Sequence, residues 1–455
     1  MPKYMVKCLR VFFFISFIML LVVAFAPARA ATPRVHMLQV QGAIVPVVAD
    51  YIQRGIDQAE AEGASALIIE LDTPGGLVTS SQKIIQSFLA SEVPIVVYVS
   101  PAGGWAGSAG AFITIAAHVA AMAPGTFIGA AHPVSIGPQG ESDTDDIMEE
   151  KTVNALASSI KSIAEQRHRN VEVAEDMVRK SVAKTDREAL ELGVIDLRSQ
   201  NLTELLDQLD GRQVTMDGDV LITLSTQGAV IERVDMTGRE NILLTLSNPN
   251  IAYLLLSLAM LGIFLEFSNP GAILPGVFGA IALFLALYSL GTLQANYAGI
   301  LLIVLGFGLF LTELFVLSSG ILTAGGIISL AFGSLILFSG TPALAINPFL
   351  IAGVVVGVAA VFLLVVGAVV RSHRRPQISG REGMGGKMAT VKTPLDPDGT
   401  VSVHGEIWQA RLDSGRAGAG EDVEVTRVDG LRLRVALKKG PARGGEGALS
   451  TKRPN

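Results

Sequence analysis

The sequence of 455 residues contains a single cysteine, Cys8, which lies in the N-terminal segment. One thiol excludes an internal disulfide framework and a cysteine-based metal site. The six histidines do not cluster at the spacing of metal ligands, so we expect no metal and no cofactor. A net charge of −6 gives no indication of a nucleic-acid partner.

Charged residues are nearly missing from residues 241–370, where Glu266 and Glu313 are the only two. A soluble domain of that length cannot be built in this way, so the sequence predicts a membrane domain. Because some of the polar breaks are short, four spans are an alternative to five. The five apolar spans are Ile251–Phe267, Ala272–Leu290, Ala298–Leu317, Ile321–Phe338 and Pro348–Val370.

The two ends of the chain favour five spans over four. Residues 1–30 have a basic start, an apolar run and an Ala-x-Ala end, the pattern of a signal peptide, with an uncleaved anchor helix as the alternative. Either segment places the next domain outside the cytoplasm. The basic run Arg371–Arg375 after the last span predicts a cytoplasmic end. Passing from outside to inside requires an odd number of spans.

The two membrane carboxylates have different positions. Glu313 falls in the middle of a span, where a charge is costly in lipid, so we expect it to face other helices. A structural hydrogen-bonding role is favoured over a transport path because no second buried charge lies at helical spacing. Glu266 lies near a span end and could reach the interface.

Residues 31–239 have the pattern of a soluble α/β domain. Strand-like runs alternate with helical ones, which predicts largely parallel pairing with crossover helices. In such folds ligand sites lie beyond the carboxyl ends of strands. Two glycine-rich turns, 72–76 and 103–110, fall at such ends.

The second of these turns contains Ser108. The strand-like run Pro94–Val99 precedes it, and the small-residue segment Ala109–Ala121 after it has helical character. A serine at the N-terminus of a helix can act as an acyl-transfer nucleophile, because backbone N–H groups there stabilise developing negative charge. The alternative is that Gly-Ser-Ala-Gly is only a close-packed turn.

Three residues are candidate bases for Ser108. Lys151 lies between an acidic segment, Ser135–Glu149, which we expect to be a mobile loop, and an apolar helix. A lysine acts as a base only when its neutral amine is populated, and a surface lysine is the alternative interpretation. His132 has a suitable intrinsic pKa but no obvious aspartate to orient it. His118 is about three helical turns from Ser108, too far to touch it.

The C-terminal region returns to soluble character. Five short β-type runs within residues 380–438, separated by turn clusters, predict a small five-stranded barrel. The barrel lacks a strong basic and aromatic face, so nucleic-acid binding is not favoured. Residues 439–455 are expected to be a disordered tail.

Four motifs in order resemble the long form of the NfeD family, membrane-bound serine proteases of the ClpP class that are often encoded beside a stomatin-like protein. The motifs are Leu71–Gly76, Gly107–Gly110, Ala131–Val134 and Lys151–Asn154. The resemblance implies three parts: a ClpP/crotonase-like α/β protease domain (31–239), an α-helical transmembrane domain (241–370) and an OB-fold domain (380–438).

The resemblance also implies a catalytic Ser–Lys dyad. Ser108 matches the nucleophile and Lys151 the general base, with His132 as a ClpP-like alternative base. Gly76, with Gly75 before it, and Ala109 match the oxyanion-hole positions. The implied reaction is peptide hydrolysis through an acyl-enzyme.

The implied substrate is an apolar segment of a stomatin-like membrane protein. The resemblance further implies a multi-pass protein of the inner or plasma membrane, in contact with lipid, with an extracytoplasmic protease domain, a cytoplasmic OB-fold domain and a homo-oligomeric state. Two other functions stay open. One is an acyl-CoA activity, which an extracytoplasmic location disfavours, and the other is a non-catalytic scaffold for stomatin-like partners.

Overall fold

The computed structural model describes residues 32–133, 143–268, 271–316, 320–338, 344–373 and 383–438, and the isolated residues Phe12 and Phe14. The chain falls into two compact units, Met1–Phe362 and Leu363–Asn455. Apart from those two phenylalanines, the expected signal peptide (1–30) lies outside the described residues, and so does the expected tail (439–455).

The N-terminal region alternates strands and helices as the sequence predicts. In chain order its elements are β1 (Arg34–Gln41), α1 (Pro46–Ala61), β2 (Ala66–Asp72), α2 (Val78–Ala90), β3 (Ile95–Val99), β4 (Trp105–Gly107), α3 (Ala109–Ala116), β5 (Val119–Met122), β6 (Phe127–Gly129), α4 (Asp143–Gln166), α5 (Val171–Arg179), β7 (Ala183–Thr185), α6 (Asp186–Glu191), β8 (Leu197–Arg198), α7 (Leu202–Leu209), β9 (Gln213–Thr215), a 3₁₀ turn (Asp217–Asp219), β10 (Leu221–Thr223), β11 (Val230–Arg233) and α8 (Gly238–Leu246).

The main sheet is parallel and has the order β11-β1-β2-β3-β5-β8. Its central strand β3 is buried along its whole length, which explains the uninterrupted apolar sequence Ile-Val-Val-Tyr-Val. A second, three-stranded sheet has the order β4-β6-β7 and carries the turn before Ser108. The predicted α/β class is therefore confirmed.

The segment after Ser108 is not one helix. We expected helical character over Ala109–Ala121, whereas α3 ends at Ala116 and β5 follows as a fully buried strand of the main sheet. Short runs of small apolar residues are compatible with a buried helix or a buried strand, so periodicity alone could not separate the two.

The acidic segment before Lys151 is partly helical. We expected a loop over Ser135–Glu149, but α4 already begins at Asp143, two turns before Lys151. Acidic residues are favourable in the first turns of a helix because they complement its dipole, so an acidic run is compatible with a helix start. Residues 134–142 lie outside the described residues.

The five predicted apolar spans are all helices. They are α9 (Pro249–Ser268), α10 (Leu274–Leu293), α11 (Tyr297–Phe315), α12 (Ile321–Ile336) and α13 (Pro348–His373). Four of them are long and apolar enough to cross a membrane, and α12, with 16 residues, is shorter. At 1.5 Å per residue α12 extends about 24 Å, less than the roughly 30 Å of a bilayer core.

The helices α11 and α12 pack as an antiparallel pair through small residues. A Cβ atom on Gly306 would lie 2.9 Å from the carbonyl oxygen of Gly326, and one on Gly333 would lie 2.9 Å from that of Gly299. Such contacts allow the two backbones to approach closely, as is common for helices packed in lipid.

Glu313 joins the same two helices. Its buried carboxylate accepts hydrogen bonds from the N–H groups of Gly320 (3.1 Å) and Thr323 (3.2 Å), at the start of α12. These amides have no partner inside the helix, and the helix dipole favours a negative group there. The geometry agrees with the expected structural role for this carboxylate.

The C-terminal unit contains a closed five-stranded barrel. Its strands are β12 (Met388–Thr393), β13 (Asp398–Val403), β14 (Glu406–Leu412), β15 (Asp422–Asp429) and β16 (Arg432–Leu437), in the order β12-β13-β14-β16-β15. All pairs are antiparallel except β14 and β16, and the interior is filled by alternating apolar residues. The predicted OB-fold is confirmed.

The buried His118 predicts a pH dependence of stability. Its Nδ1 accepts the N–H of Ile95 (3.2 Å), and burial, followed by the charges of Arg167 and Arg169, lowers its pKa to about 3. In the unfolded chain a histidine takes up a proton below about pH 6.5, whereas folded His118 stays neutral down to about pH 3. Stability should therefore fall with pH through this window, by at most about 1.4 kcal/mol per pH unit.

Thermal unfolding of the purified chain in detergent between pH 7 and pH 5 tests this expectation. His118→Asn should flatten the fall in Tm, while His168→Asn, at an exposed histidine, should leave it unchanged. An equal pH dependence in the wild type and in His118→Asn would contradict the prediction.

Candidate active site

Two turns meet at the carboxyl edge of the main sheet. The N–H of Thr73 donates to the carbonyl of Trp105 (2.8 Å), and the N–H of Gly107 donates to the carbonyl of Thr73 (2.9 Å). These bonds join the turn after β2 to β4, the strand that leads into Ser108. The two glycine turns that the sequence places at strand ends are thus in direct contact.

Ser108 has an unusual backbone conformation. It lies between β4 and α3 with φ 49° and ψ −111°, a region that non-glycine residues rarely occupy. Its N–H donates to the carbonyl of Gly129 (2.9 Å), and its own carbonyl accepts the N–H of Ala111 (3.0 Å). Strain of this kind is retained where it positions a functional side chain, and a serine nucleophile at a strand–helix turn is such a case.

The contact between the turns leaves no room for side chains. Gly75 has a φ of +123°, and a Cβ atom there would lie 2.7 Å from the Cβ of Ser108 and 3.2 Å from its Oγ. A Cβ on Gly110 would lie 2.6 Å from a methyl group of Thr73. Glycine at these positions lets one turn pack directly against Ser108.

Two backbone amides beside Ser108 are available as oxyanion donors. The N–H of Gly75 is engaged by Thr73 Oγ1 (3.0 Å). Ile44 bonds to Gly75 and Leu77 on either side of Gly76, so the N–H of Gly76 points away from Ile44. Ala109 begins α3. Within the described residues no hydrogen bond engages the N–H groups of Gly76 or Ala109.

A mostly apolar cleft opens beside the Oγ of Ser108. Helices α2, α3 and α4 all contribute side chains to it. The residues that line it are Gly76, Val78, Ser81, Gln82, Ile85, Ser108, Ala109, Phe112, Ala131, Pro133, Leu156 and Ser159. An extended peptide with apolar side chains fits the chemistry of this cleft.

The candidate bases occupy different positions around the cleft. Lys151 is on α4, the helix that lines the cleft through Leu156 and Ser159, but its side chain is exposed and is not among the lining groups. Ala131 and Pro133 line the cleft, whereas Nδ1 of His132 between them lies 2.9 Å from the carbonyl oxygen of Val178.

His118 is excluded from the chemistry by its own contacts. Its Nδ1 is bonded to the start of β3, at the amino end of the sheet, whereas Ser108 lies at the carboxyl end. The expectation that it is too far from Ser108 agrees with this placement.

Comparison with known proteins accounts for the whole architecture. Three family models match in order: the NfeD1b N-terminal domain over residues 34–234, the NfeD integral membrane domain over 250–368, and the NfeD-like C-terminal, partner-binding domain over 381–436. The chain is 34% identical over 433 residues to the membrane-bound protease PH1510 of Pyrococcus horikoshii, covering 92% of this chain and 97% of that protein. The chain belongs to the NfeD family.

A second relative and a solved structure are also similar to this chain. The membrane protein NfeD1b of Bacillus subtilis is 29% identical over 430 residues, covering 90% of this chain and 94% of the relative. Among solved structures, a stomatin-specific membrane-bound protease domain, a lysine-to-alanine variant in complex with a substrate peptide, is 32% identical. The match covers 47% of this chain and 97% of the solved chain, with a TM-score of 0.43.

Some features of this NfeD-family site carry no clear signal in the sequence. Helices α2 and α4, about 70 residues apart, both line the cleft, and their apolar residues have the ordinary helical pattern of a core face. The positive φ of Ser108 also has no sequence signal of its own, since serine is not a residue type that indicates a positive φ. The glycines on either side of it were the only available signal.

Gly75→Ala should inactivate the site without unfolding the domain. The new methyl group collides with Ser108 and the required φ disfavours alanine, so the nucleophile is displaced. We expect kcat/KM for an apolar peptide to fall about 100-fold or more, because such a displacement is of the order of 1 Å.

Gly103→Ala is the matched control, since Gly103 also has a positive φ (+87°) but has no atom within 4 Å of its Cβ position. It should lose some stability and keep its activity. Near-wild-type activity of Gly75→Ala would contradict the close contact with Ser108.

Proposed function

We propose that this protein is a membrane-anchored serine endopeptidase in which Ser108 is the nucleophile. The observation that carries the proposal is the strained Ser108 at a strand–helix turn, which lines an apolar cleft together with Gly76 and Ala109, whose N–H groups have no hydrogen bond within the described residues. The relative named a membrane-bound protease, aligned over 92% of the chain, supports the same activity.

The proposed reaction proceeds through an acyl-enzyme. Lys151, as a neutral amine, takes the proton of the Ser108 hydroxyl while Oγ attacks the peptide carbonyl. The N–H groups of Gly76 and Ala109 stabilise the oxyanion, and Lys151 then donates the proton to the leaving amine. Water, activated by the same base, hydrolyses the ester and frees Ser108.

Lys151 is preferred to His132 as the base. It is carried by α4, the helix that lines the cleft through Leu156 and Ser159. Nδ1 of His132 lies 2.9 Å from the carbonyl oxygen of Val178, and His132 is not among the residues that line the cleft. The Ser–Lys dyad is therefore the simpler arrangement.

The proposed substrate is an apolar segment of a stomatin-like membrane protein. The cleft offers Ile85, Phe112 and Leu156 to substrate side chains and no charged group among its lining residues. A solved relative is described as stomatin-specific, which supports this class of substrate.

The proposed setting is the inner or plasma membrane, with lipid around α9–α13. If the shorter α12 crosses the membrane together with the four long helices, five crossings place the protease domain outside the cytoplasm and the barrel inside it. We also expect the protein to form a homo-oligomer, as the family resemblance implies.

Parallel variants test the dyad in the purified chain with a peptide from a stomatin-like C-terminus. Ser108→Ala and Lys151→Ala should each lower kcat/KM by roughly 10⁴-fold, because a nucleophile and its base act as a unit. His132→Ala should retain activity. Lys161→Ala removes another exposed lysine of α4 and should also retain activity, which controls for loss of surface charge.

Loss of activity in His132→Ala but not in Lys151→Ala would replace the dyad by a ClpP-like arrangement. A well-folded wild type that cleaves no apolar peptide would favour a scaffold for stomatin-like proteins.

A partner-binding role for the barrel is a second proposed function. The family model for residues 381–436 is described as partner-binding, and the barrel belongs to a compact unit of its own. We propose that this domain binds the stomatin-like partner, whether or not that partner is cleaved.

Deletion of residues 380–438 separates the two roles. The shortened chain should hydrolyse the free peptide at the wild-type rate but should no longer co-purify with an intact stomatin-like protein. Equal co-purification of both chains would exclude the barrel as the binding domain.

A further inference from the structure

A cluster of three ionisable side chains lies at the amino end of the main sheet, away from Ser108. His36 comes from β1, Glu232 from the neighbouring position of β11, and Glu62 from the C-terminal cap of α1. Nε2 of His36 lies 3.2 Å from Oε2 of Glu62 and 3.5 Å from Oε2 of Glu232. One ligand atom from each of the three lies within 4.8 Å of the other two.

His36 is the group that distinguishes this cluster from an ordinary acidic patch. It is fully buried, at 0% exposure, and within the described residues neither of its ring nitrogens makes a hydrogen bond. A buried polar group without a partner is costly. Nε2 faces one oxygen of each carboxylate, at 3.2 and 3.5 Å, so three potential ligand atoms converge on one point.

The remaining atoms of the two carboxylates are held by other side chains. Oε1 of Glu62 accepts a hydrogen bond from Gln58 (2.9 Å), and Oε1 of Glu232 lies 3.7 Å from a guanidinium nitrogen of Arg34. Each carboxylate therefore turns its Oε2 toward His36. Outer partners that orient ligands in this way are typical of metal centres.

We propose that His36, Glu62 and Glu232 bind a divalent transition-metal ion of the Zn²⁺ class. Ligands about 2.1 Å from a tetrahedral zinc ion are about 3.4 Å apart, and the distances of 3.2 and 3.5 Å agree with that spacing. One imidazole with two carboxylates suits zinc better than calcium or magnesium, which prefer oxygen alone. Both glutamates are about one-third exposed, which leaves a fourth position for water.

The site has a structural consequence. β11 is the edge strand of the main sheet and leads through a short connection to α8 and the membrane helices. A metal ion shared by β1, β11 and α1 ties this edge strand to the core of the domain. The sequence analysis expected no metal because these three ligands are separated by 26 and 170 residues.

The test uses the full untagged chain in detergent, stripped with a chelator and titrated calorimetrically with ZnCl₂. We expect one zinc ion per chain whose binding is weakened at least about tenfold by Glu62→Gln and by Glu232→Gln. Asp57→Asn removes an exposed acid from the same helix α1 and should bind zinc as the wild type does. MgCl₂ and CaCl₂ should not compete at equal concentration.

Hydrogen exchange gives a second measurement, which does not depend on a binding affinity. Zinc should slow the exchange of the β11 amides in the wild type, with no such effect in Glu232→Gln. The proposal is overturned if the wild type binds no zinc, or if both glutamine variants bind it with wild-type affinity. In either case His36, Glu62 and Glu232 are a cluster of polar side chains that holds no metal ion.

Discussion

The direct packing of one glycine turn against another is the constraint on which the site depends. The turn after β2 is hydrogen-bonded to β4 through Thr73, and Gly75 lies against Ser108 with no space for a methyl group. This contact holds Ser108 at a positive φ and leaves the amide of Gly76 beside it. Without it, the same serine would be an ordinary cap of a buried helix.

Much of the fold could be predicted because its signals are local. The parallel strands, the apolar helices and the barrel each have a periodicity or a composition that only one structure satisfies. The prediction of helical character over Ala109–Ala121 was wrong because small buried residues fit a helix and a strand equally well. The helix ends at Ala116 because β5 pairs with β3. The prediction of a loop up to Glu149 was wrong from Asp143 onward, because an acidic run is compatible with a loop or with the N-terminus of a helix.

The site was predictable only in part, for the same reason. Ser108, Gly75, Gly76 and Ala109 are brought together by two turns that each carry a recognisable glycine pattern. The proposed base could not be chosen from sequence, because whether Lys151 or His132 faces Ser108 depends on how α4 packs across the cleft. The cluster of His36, Glu62 and Glu232 was missed because strand register and a helix end assemble it from distant positions.

Residues of β1 and α1 hold the chain from β11 to α8, which leads to the membrane helices. The hydroxyl of Tyr51 donates to the carbonyl of Val234 (2.6 Å), and Arg54 pairs with Glu240 (2.8 Å). The hydrogen bond from Arg54, together with the capping contacts of Thr237, lowers the pKa of Glu240 to about 2. His36 faces Glu232. These contacts join the chain that leads into α8 and the membrane helices to β1 and α1 of the N-terminal domain.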